Sequence, residues 1–147
     1  MEEPLKTGQI QQVGTVFVPV ANQDDALEFY TRKLGFEKRV EAVYAGGKRW
    51  IEVAPPNSVI NIALVSDEEG TGTADDRTCC AFSTNDIEAT FKMLKENGVD
   101  MVDKEIGRRG TGRLGLFAAQ KVIEDPTPPQ FSFRDPDGNR FLIVEVL

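Results

Sequence analysis

The amino-acid sequence predicts an α+β fold built from two consecutive βαβββ modules, and three observations indicate it. A helical pattern with the same spacing occurs twice, at 26–35 and at 89–98, and each copy ends at a glycine. Each copy is followed by an apolar residue that opens a strand pattern. The last strand of each half follows a turn that contains Pro and Asn. Internal duplication explains all three, so we expect one domain with modules at 12–66 and 78–147, joined by the acidic, glycine-rich linker 67–77.

The first module is predicted to contain four strands and one helix. Residues 14–20 are rich in β-branched and aromatic side chains, which is typical of a strand. Asn22 is a suitable N-cap, Asp24 and Asp25 place negative charge in the first helical turn, and Gly35 ends the helix. Gly-Gly and Pro-Pro-Asn turns separate three further strands. Their ranges are 36–44, 48–53 and 58–65.

The second module repeats this order of elements. Residues 78–83 predict a strand, and Asp86 begins a helix that ends at Asn97-Gly98. Residues 99–106 predict the next strand. The closing stretch FSFRDPDGNRFLIVEV, at 131–146, predicts a hairpin whose DPDGN turn we assign to structure, because Pro presets φ and Asp-Gly permits the chain reversal.

Composition and charge exclude several classes of partner. The net charge of −7 argues against nucleic acid, because phosphate binding needs a basic surface. No apolar run approaches the roughly 20 residues that cross a bilayer, and no signal-peptide pattern opens the chain, so we expect a cytoplasmic protein without a membrane partner. The adjacent Cys79 and Cys80 are expected to be thiols, since a disulfide between neighbours on a strand is strained. The chain has no histidine, which removes the commonest transition-metal ligand.

Three segments together resemble the vicinal oxygen chelate superfamily of glyoxalases, extradiol dioxygenases, fosfomycin-resistance enzymes and bleomycin-resistance proteins. They are VFVPVANQDDALEFYTRKLGFE, CAFSTNDIEATFKMLKENGV and FSFRDPDGNRFLIVE, in order over nearly the whole chain. The resemblance implies a curved, cup-shaped mixed sheet with the helices outside and a ligand within. It also implies four positions where metal-dependent members carry His or Glu, occupied here by Thr15, Asn61, Cys79 and Leu142. This is a poor ligand set, so we expect no metal and no other cofactor.

Strand alternation predicts which side chains share the cup face with those four positions. Phe17 follows Thr15 on the first strand, and in KRWIEVA the residues Trp50 and Glu52 share one face. If that face is the cup, Trp50 offers a stacking platform and Glu52 is a candidate catalytic acid/base or cation partner. The alternative is that these side chains pack as ordinary core or pair at the surface. The predicted ligand-binding residues are Thr15, Phe17, Trp50, Asn61, Cys79, Leu142 and Arg113.

The stretch 106–130 is long for a connector and contains four glycines and three arginines, Arg113 among them. One interpretation is a flap over the cup whose arginines meet an anionic group of the ligand. The other is a solvent-exposed hairpin whose arginines balance an acidic protein. The sequence leaves both open.

These observations favour a metal-independent small-molecule-binding protein similar to bleomycin-resistance proteins. The ligand is expected to be hydrophobic or aromatic, and the acidic surface would suit a cationic compound. A metal-independent isomerase or lyase that uses Glu52, Tyr30 or Tyr44 as acid/base remains open, as do a glyoxalase or dioxygenase with displaced metal ligands and a non-catalytic interaction module. We also expect a homodimer, because a two-module sheet leaves an exposed edge and the superfamily usually pairs subunits.

Overall fold

The computed structural model describes residues 7–66, 77–107 and 128–146. The first module consists of β1 (Thr15–Val20), α1 (Gln23–Glu28) continued by a π-helical segment (Phe29–Lys33), β2 (Glu37–Tyr44), a 3-10 turn (Ala45–Gly47), β3 (Lys48–Ala54) and β4 (Asn61–Ser66). The second consists of β5 (Thr78–Thr84), α2 (Ile87–Glu96), β6 (Asp100–Met101), β7 (Gln130–Arg134) and β8 (Arg140–Glu145). Within these ranges no helix is long and apolar enough to cross a membrane.

Each module forms a four-stranded mixed sheet with the same topology. The strand orders are β1-β4-β3-β2 and β5-β8-β7-β6. The first strand of each module lies parallel to its last strand, and the remaining pairs are antiparallel. The predicted α+β class and the two βαβββ modules are therefore confirmed. The module limits 12–66 and 78–147 stay predictions, because 67–76 and 108–127 lie outside the described residues.

The helices begin where capping residues were predicted. The side chain of Asn22 accepts a hydrogen bond from the backbone N–H of Asp25 at 2.9 Å. Asp86 accepts one from Ala89 at 3.0 Å. Each carboxylate or amide oxygen satisfies one of the N–H groups that a helix leaves open at its start. The first helix ends before Gly35, whose φ of +77° lies in the left-handed region that favours glycine.

Two predicted strands are shorter than expected, and local side-chain hydrogen bonds explain both. The strand predicted at 58–65 begins at Asn61, because the Ser58 hydroxyl accepts a hydrogen bond from the backbone N–H of Ile60 at 3.1 Å and holds a turn. The strand predicted at 99–106 is reduced to β6. There the Asp103 carboxylate accepts a hydrogen bond from the backbone N–H of Ser132 at 2.9 Å. A side chain thus takes the place of the backbone carbonyl that a longer β6 would offer to β7.

One hydrophobic core joins the two modules. It contains the buried side chains of both helices and of one face of each sheet. Val18 and Ile51 come from the first sheet, and Phe131 and Phe141 come from the second. The ring of Tyr30, on the first helix, meets Phe141 of the second module edge-on with a centroid distance of 6.2 Å. Because the core covers the helix-side face of each sheet, the opposite face of each sheet points away from it.

A buried hydrogen-bond network at the DPDGN turn ties the modules together. The Tyr30 hydroxyl donates to Asp135 Oδ2 at 2.7 Å. The Asn139 amide donates to the same oxygen and to the carbonyl of Pro19, both at 2.8 Å. The backbone N–H of Ala21 donates to Asp137 Oδ1 at 2.9 Å. The DPDGN turn, for which the sequence predicted a structural role, therefore also holds the second module against the first.

Burial sets the electrostatics of this junction. Asp135 and Tyr30 are 3% and 0% exposed. Burial raises the pKa of Asp135, while the hydrogen bonds from Asn139 and Tyr30 act in the opposite direction. The pKa of Tyr30 lies well above its usual value, first because of burial and then because of the neighbouring Asp135 carboxylate. Tyr30 thus belongs to the core and is not placed to act as an acid/base on the outer face of a sheet.

Candidate functional site

The outer face of the first sheet carries most of the predicted site residues. We call this face the first half-cup and define it by Phe17, Trp50, Glu52 and Ala63. In the sheet register Phe17 lies beside Ala63, and Ala63 lies beside Glu52. The intervening residues of β1 and β3 are buried in the core, as alternation requires. Three strands therefore present these side chains side by side on one surface.

Phe17, Trp50 and Glu52 form a connected group on the first half-cup. The rings of Phe17 and Trp50 meet edge-on, with centroids 5.9 Å apart and an interplanar angle of 77°. The indole Nε1–H of Trp50 donates a hydrogen bond to Glu52 Oε2 at 2.8 Å. Phe17 remains 62% exposed, which is unusual for a large aromatic side chain. The group offers an aromatic surface whose indole is fixed by a carboxylate, and it can stack on a flat apolar ligand.

Thr15 and Asn61 lie directly opposite each other at one end of the first half-cup. The side-chain oxygen of Asn61 accepts a hydrogen bond from Arg39 Nη1 at 2.8 Å. The other guanidinium nitrogen of Arg39 donates to the carbonyls of Pro55 and Pro56 at 3.0 and 3.1 Å. Part of the hydrogen-bonding capacity of Asn61 is therefore used to anchor the turn before β4.

The outer face of the second sheet forms the second half-cup, defined by Ala81, Gln130, Ser132, Leu142 and Val144. Ala81 and Ser132 flank Leu142, and Gln130 lies opposite Val144. The alternate residues Phe131, Phe133 and Phe141 fill the core. The same alternation along β7 could have placed Gln130 and Ser132 on this outer face from the sequence, but neither is among the predicted site residues.

Cys79 does not lie directly beside Leu142, the other second-module residue at a ligand position of the family resemblance. The register of β5 and β8 shifts between Thr78 and Cys80, so Cys79 lies in a bulge, and Leu142 faces Ala81 instead. Cys79 is exposed, and no disulfide joins it to Cys80. Cys80 packs against the core, where burial raises its pKa to about 11. A thiol with that pKa is a poor nucleophile near neutral pH.

The residues at the four metal-ligand positions of the resemblance do not fit a metal ion. Threonine, asparagine, leucine and one thiol offer few donors that first-row metals bind well. In the described ranges 7–66, 77–107 and 128–146, no cluster of three or more His, Cys, Asp or Glu side chains could hold a metal. Arg113, the last predicted site residue, lies outside the described residues.

The two half-cups end at strands that have one open side. In the described part of the chain β1 pairs with β4 alone and β5 pairs with β8 alone. Phe17 on β1 is largely exposed, and Cys79, Ala81 and Ser83 on β5 are exposed on the same outer face. Each half-cup is thus bounded by an unpaired sheet edge with small or apolar side chains beside it.

Comparisons with known proteins agree with this architecture. The sequence profile of the Glyoxalase/Bleomycin resistance protein/Dioxygenase superfamily matches residues 10–143. The protein YetH of Bacillus subtilis is 29% identical over 136 residues, which cover 92% of this chain and 99% of YetH.

Two solved structures with the same fold and at least 25% sequence identity serve as examples. A member of the glyoxalase/bleomycin resistance protein/dioxygenase superfamily from Sphaerobacter thermophilus is 28% identical, with a TM-score of 0.73 and coverage of 93% of this chain and 98% of its own. The antibiotic-binding protein TnmS3 from a Streptomyces species is 25% identical, with a TM-score of 0.71 and coverage of 94% and 98%. The chain belongs to the Glyoxalase/Bleomycin resistance protein/Dioxygenase superfamily.

Proposed function

We propose that this protein is a metal-independent binder of a hydrophobic or aromatic small molecule. The observation that carries the proposal is the exposed Phe17 ring packed edge-on against Trp50, whose indole N–H is held by Glu52. Such a surface binds flat apolar ligands by stacking and by removal of apolar area from water. The similarity to the antibiotic-binding protein TnmS3 supports the binding of a small molecule.

The ligand site is completed by a second copy of the chain. Among the described strands, the first half-cup ends at the open edge of β1 and the second at the open edge of β5. Within one chain both half-cups face away from the shared core. In a symmetric dimer, β1 of each protomer lies beside β5 of the other, so the contact occurs twice. This arrangement covers both open edges, and it places the first half-cup of one protomer next to the second half-cup of the other.

The dimer is tested by sedimentation velocity. Wild-type protein is expected at about twice the chain mass of 16.3 kDa. Ala81→Arg, on the exposed edge of β5, is expected to give monomers because it places a charge in the closed edge. Ala89→Arg, the same substitution at an exposed position of α2, is the matched control and should leave the dimer intact. A monomeric wild type at tens of micromolar protein would refute the shared cup.

Ligand binding is tested through the fluorescence of Trp50, which is the only tryptophan of the chain. Aromatic compounds of both charge signs are titrated, and a hit is expected to quench or shift the emission. Phe17→Ala is expected to weaken the binding of a hit by roughly tenfold through lost stacking and apolar burial. Val43→Ala is the control, because Val43 is 70% exposed on β2 and lies beside Arg49, on the face opposite to Trp50. Equal affinity of Phe17→Ala and wild type for every hit would remove the first half-cup from the site.

A catalytic role of Glu52 is the alternative at the same site. Its carboxylate lies on the first half-cup and accepts a hydrogen bond from Trp50, so it is held in place for proton transfer to or from a bound molecule. An isomerase or lyase of this kind would turn over a compound found in the binding screen. Glu52→Gln should then abolish turnover and leave binding within a few fold, whereas unchanged turnover would exclude Glu52 from the chemistry.

A further inference from the structure

The side chain of Gln130 is buried without hydrogen bonds on the second half-cup. Gln130 is 2% exposed, and neither its amide nitrogen nor its amide oxygen has a partner among the described residues. Its backbone is fixed by hydrogen bonds in both directions with Gly107, at 2.7 and 2.9 Å. A buried amide normally finds a partner for both its donor and its acceptor, because leaving them unpaired is costly. Two unpaired atoms on one buried side chain therefore require an explanation.

A guanidinium on the same face is also incompletely paired. Arg140 has a buried Nε with no acceptor among the described residues. One of its terminal nitrogens lies 3.5 Å from Ser132 Oγ, which is a long and weak hydrogen bond. Ser132 is 3% exposed and lies on β7 between Gln130 and the end of the strand. Donors and acceptors without good partners thus lie on the same outer face of the neighbouring strands β7 and β8.

We propose that Gln130, Ser132 and Arg140 form a polar subsite that binds the carboxylate and the adjacent amide of an N-acylated amino acid or a similar ligand. The subsite rests on the proposed function, since it supplies the polar end of a ligand whose aromatic part lies on the first half-cup of a second copy of the chain. The three side chains come from neighbouring antiparallel strands, so their relative positions are fixed by the β7–β8 ladder. Rigid strands position such groups well.

The chemistry of each side chain selects its ligand group. A guanidinium presents donors and a positive charge, and a carboxylate is the acceptor that matches both. A buried glutamine amide has an N–H₂ donor and a C=O acceptor, and a second amide satisfies both at once. The net charge of the chain had suggested a cationic ligand. At contact distance, however, the guanidinium determines which charge is bound, because distant surface charges are screened by solvent.

Three phenyl compounds separate the two contacts. N-acetylphenylalanine carries the amide and the carboxylate, 3-phenylpropanoate carries the carboxylate alone, and N-(2-phenylethyl)acetamide carries the amide alone. Isothermal titration calorimetry on the full chain is expected to rank N-acetylphenylalanine as the tightest of the three. Arg140→Leu should weaken both carboxylates by about 10- to 100-fold and leave the neutral amide within a few fold. Gln130→Leu should weaken the two amides by about tenfold and spare 3-phenylpropanoate.

A stability measurement keeps the assignment falsifiable without a ligand. If Gln130 has no partner in the free protein, Gln130→Leu removes an unpaired polar group at nearly constant volume and should raise Tm. A lower Tm would mean that Gln130 makes an internal hydrogen bond, and it would overturn the subsite. Arg32→Met, which removes the same charge as Arg140→Leu at a side chain 79% exposed on the first helix, is the charge control and should change no affinity.

The outcomes distinguish this subsite from the proposed function. If the three compounds bind equally and neither variant changes their affinities, the subsite is wrong while aromatic binding stands. If none of them binds at millimolar concentration but Phe17-dependent binding of another aromatic compound is found, the ligand class is wrong and the first half-cup stands. If Arg140→Leu weakens only the two carboxylates and Gln130→Leu weakens only the two amides, the subsite is established.

Discussion

Removing the Tyr30 hydroxyl tests whether the buried network at the DPDGN turn holds the two modules together. Tyr30→Phe keeps the ring, and therefore its edge-on contact with Phe141, but deletes the 2.7 Å hydrogen bond to Asp135. Both groups are almost fully buried, so water does not replace the lost donor freely. A hydrogen bond to a charged group contributes about 2 kcal/mol, and we expect a loss of that size. For a chain of this length the loss corresponds to a Tm lower by roughly 6 °C.

The pH dependence of this effect has a definite sign. Asp135 has a folded-state pKa above its ordinary value of 3.8, so the folded protein binds this proton more tightly than the unfolded chain. Its contribution to stability is therefore most favourable at low pH and is lost as the pH rises from 3.8 through the folded-state pKa. The Tyr30 hydrogen bond lowers that pKa, so its removal extends the loss to higher pH. Tyr30→Phe should destabilise more at neutral pH than near pH 4.

Urea denaturation followed by circular dichroism at several pH values measures this prediction. Tyr44→Phe is the matched control, because Tyr44 is 50% exposed at the end of β2 and its hydroxyl deletion should change stability little. The reasoning is refuted if Tyr30→Phe and Tyr44→Phe lose the same free energy. It is also refuted if the loss in Tyr30→Phe does not depend on pH between acidic and neutral conditions.

Three further predictions concern local features of the fold. Gly35→Ala should cost about 1 kcal/mol in urea denaturation because Gly35 has a φ of +77°, whereas Gly14→Ala, with open space and no left-handed φ, should be close to neutral. Asp86→Ala should cost about 1 kcal/mol through loss of the α2 N-cap, and an unchanged midpoint would contradict the cap. In folded Ala81→Arg protein, whose β5 edge is expected to be open, iodoacetamide near pH 8 should alkylate the exposed Cys79 well before Cys80, because burial raises the pKa of Cys80 to about 11. Peptide mass spectrometry that shows equal rates would be contrary evidence.

The sequence determined the features that depend on neighbours along the chain. The repeated spacing of helices and turns predicted two βαβββ modules, and the capping residues Asn22 and Asp86 marked the helix starts. Alternation along KRWIEVA also predicted that Trp50 and Glu52 share a face, because strand geometry directs every second side chain to the same side. These patterns act over a few residues, so they can be recognised without knowing how the elements pack.

Only the tertiary structure decided which distant groups meet. Nothing in the sequence indicated that Tyr30 would donate a hydrogen bond to Asp135, which is 105 positions away, or that Arg39 would donate one to the side-chain oxygen of Asn61. The unpaired amide of Gln130 was equally invisible, since a glutamine in a strand is usually satisfied by solvent or by a neighbour. Whether a polar group is buried and paired depends on how two modules pack around one core. That packing is a property of the whole chain, whereas sequence patterns report on segments.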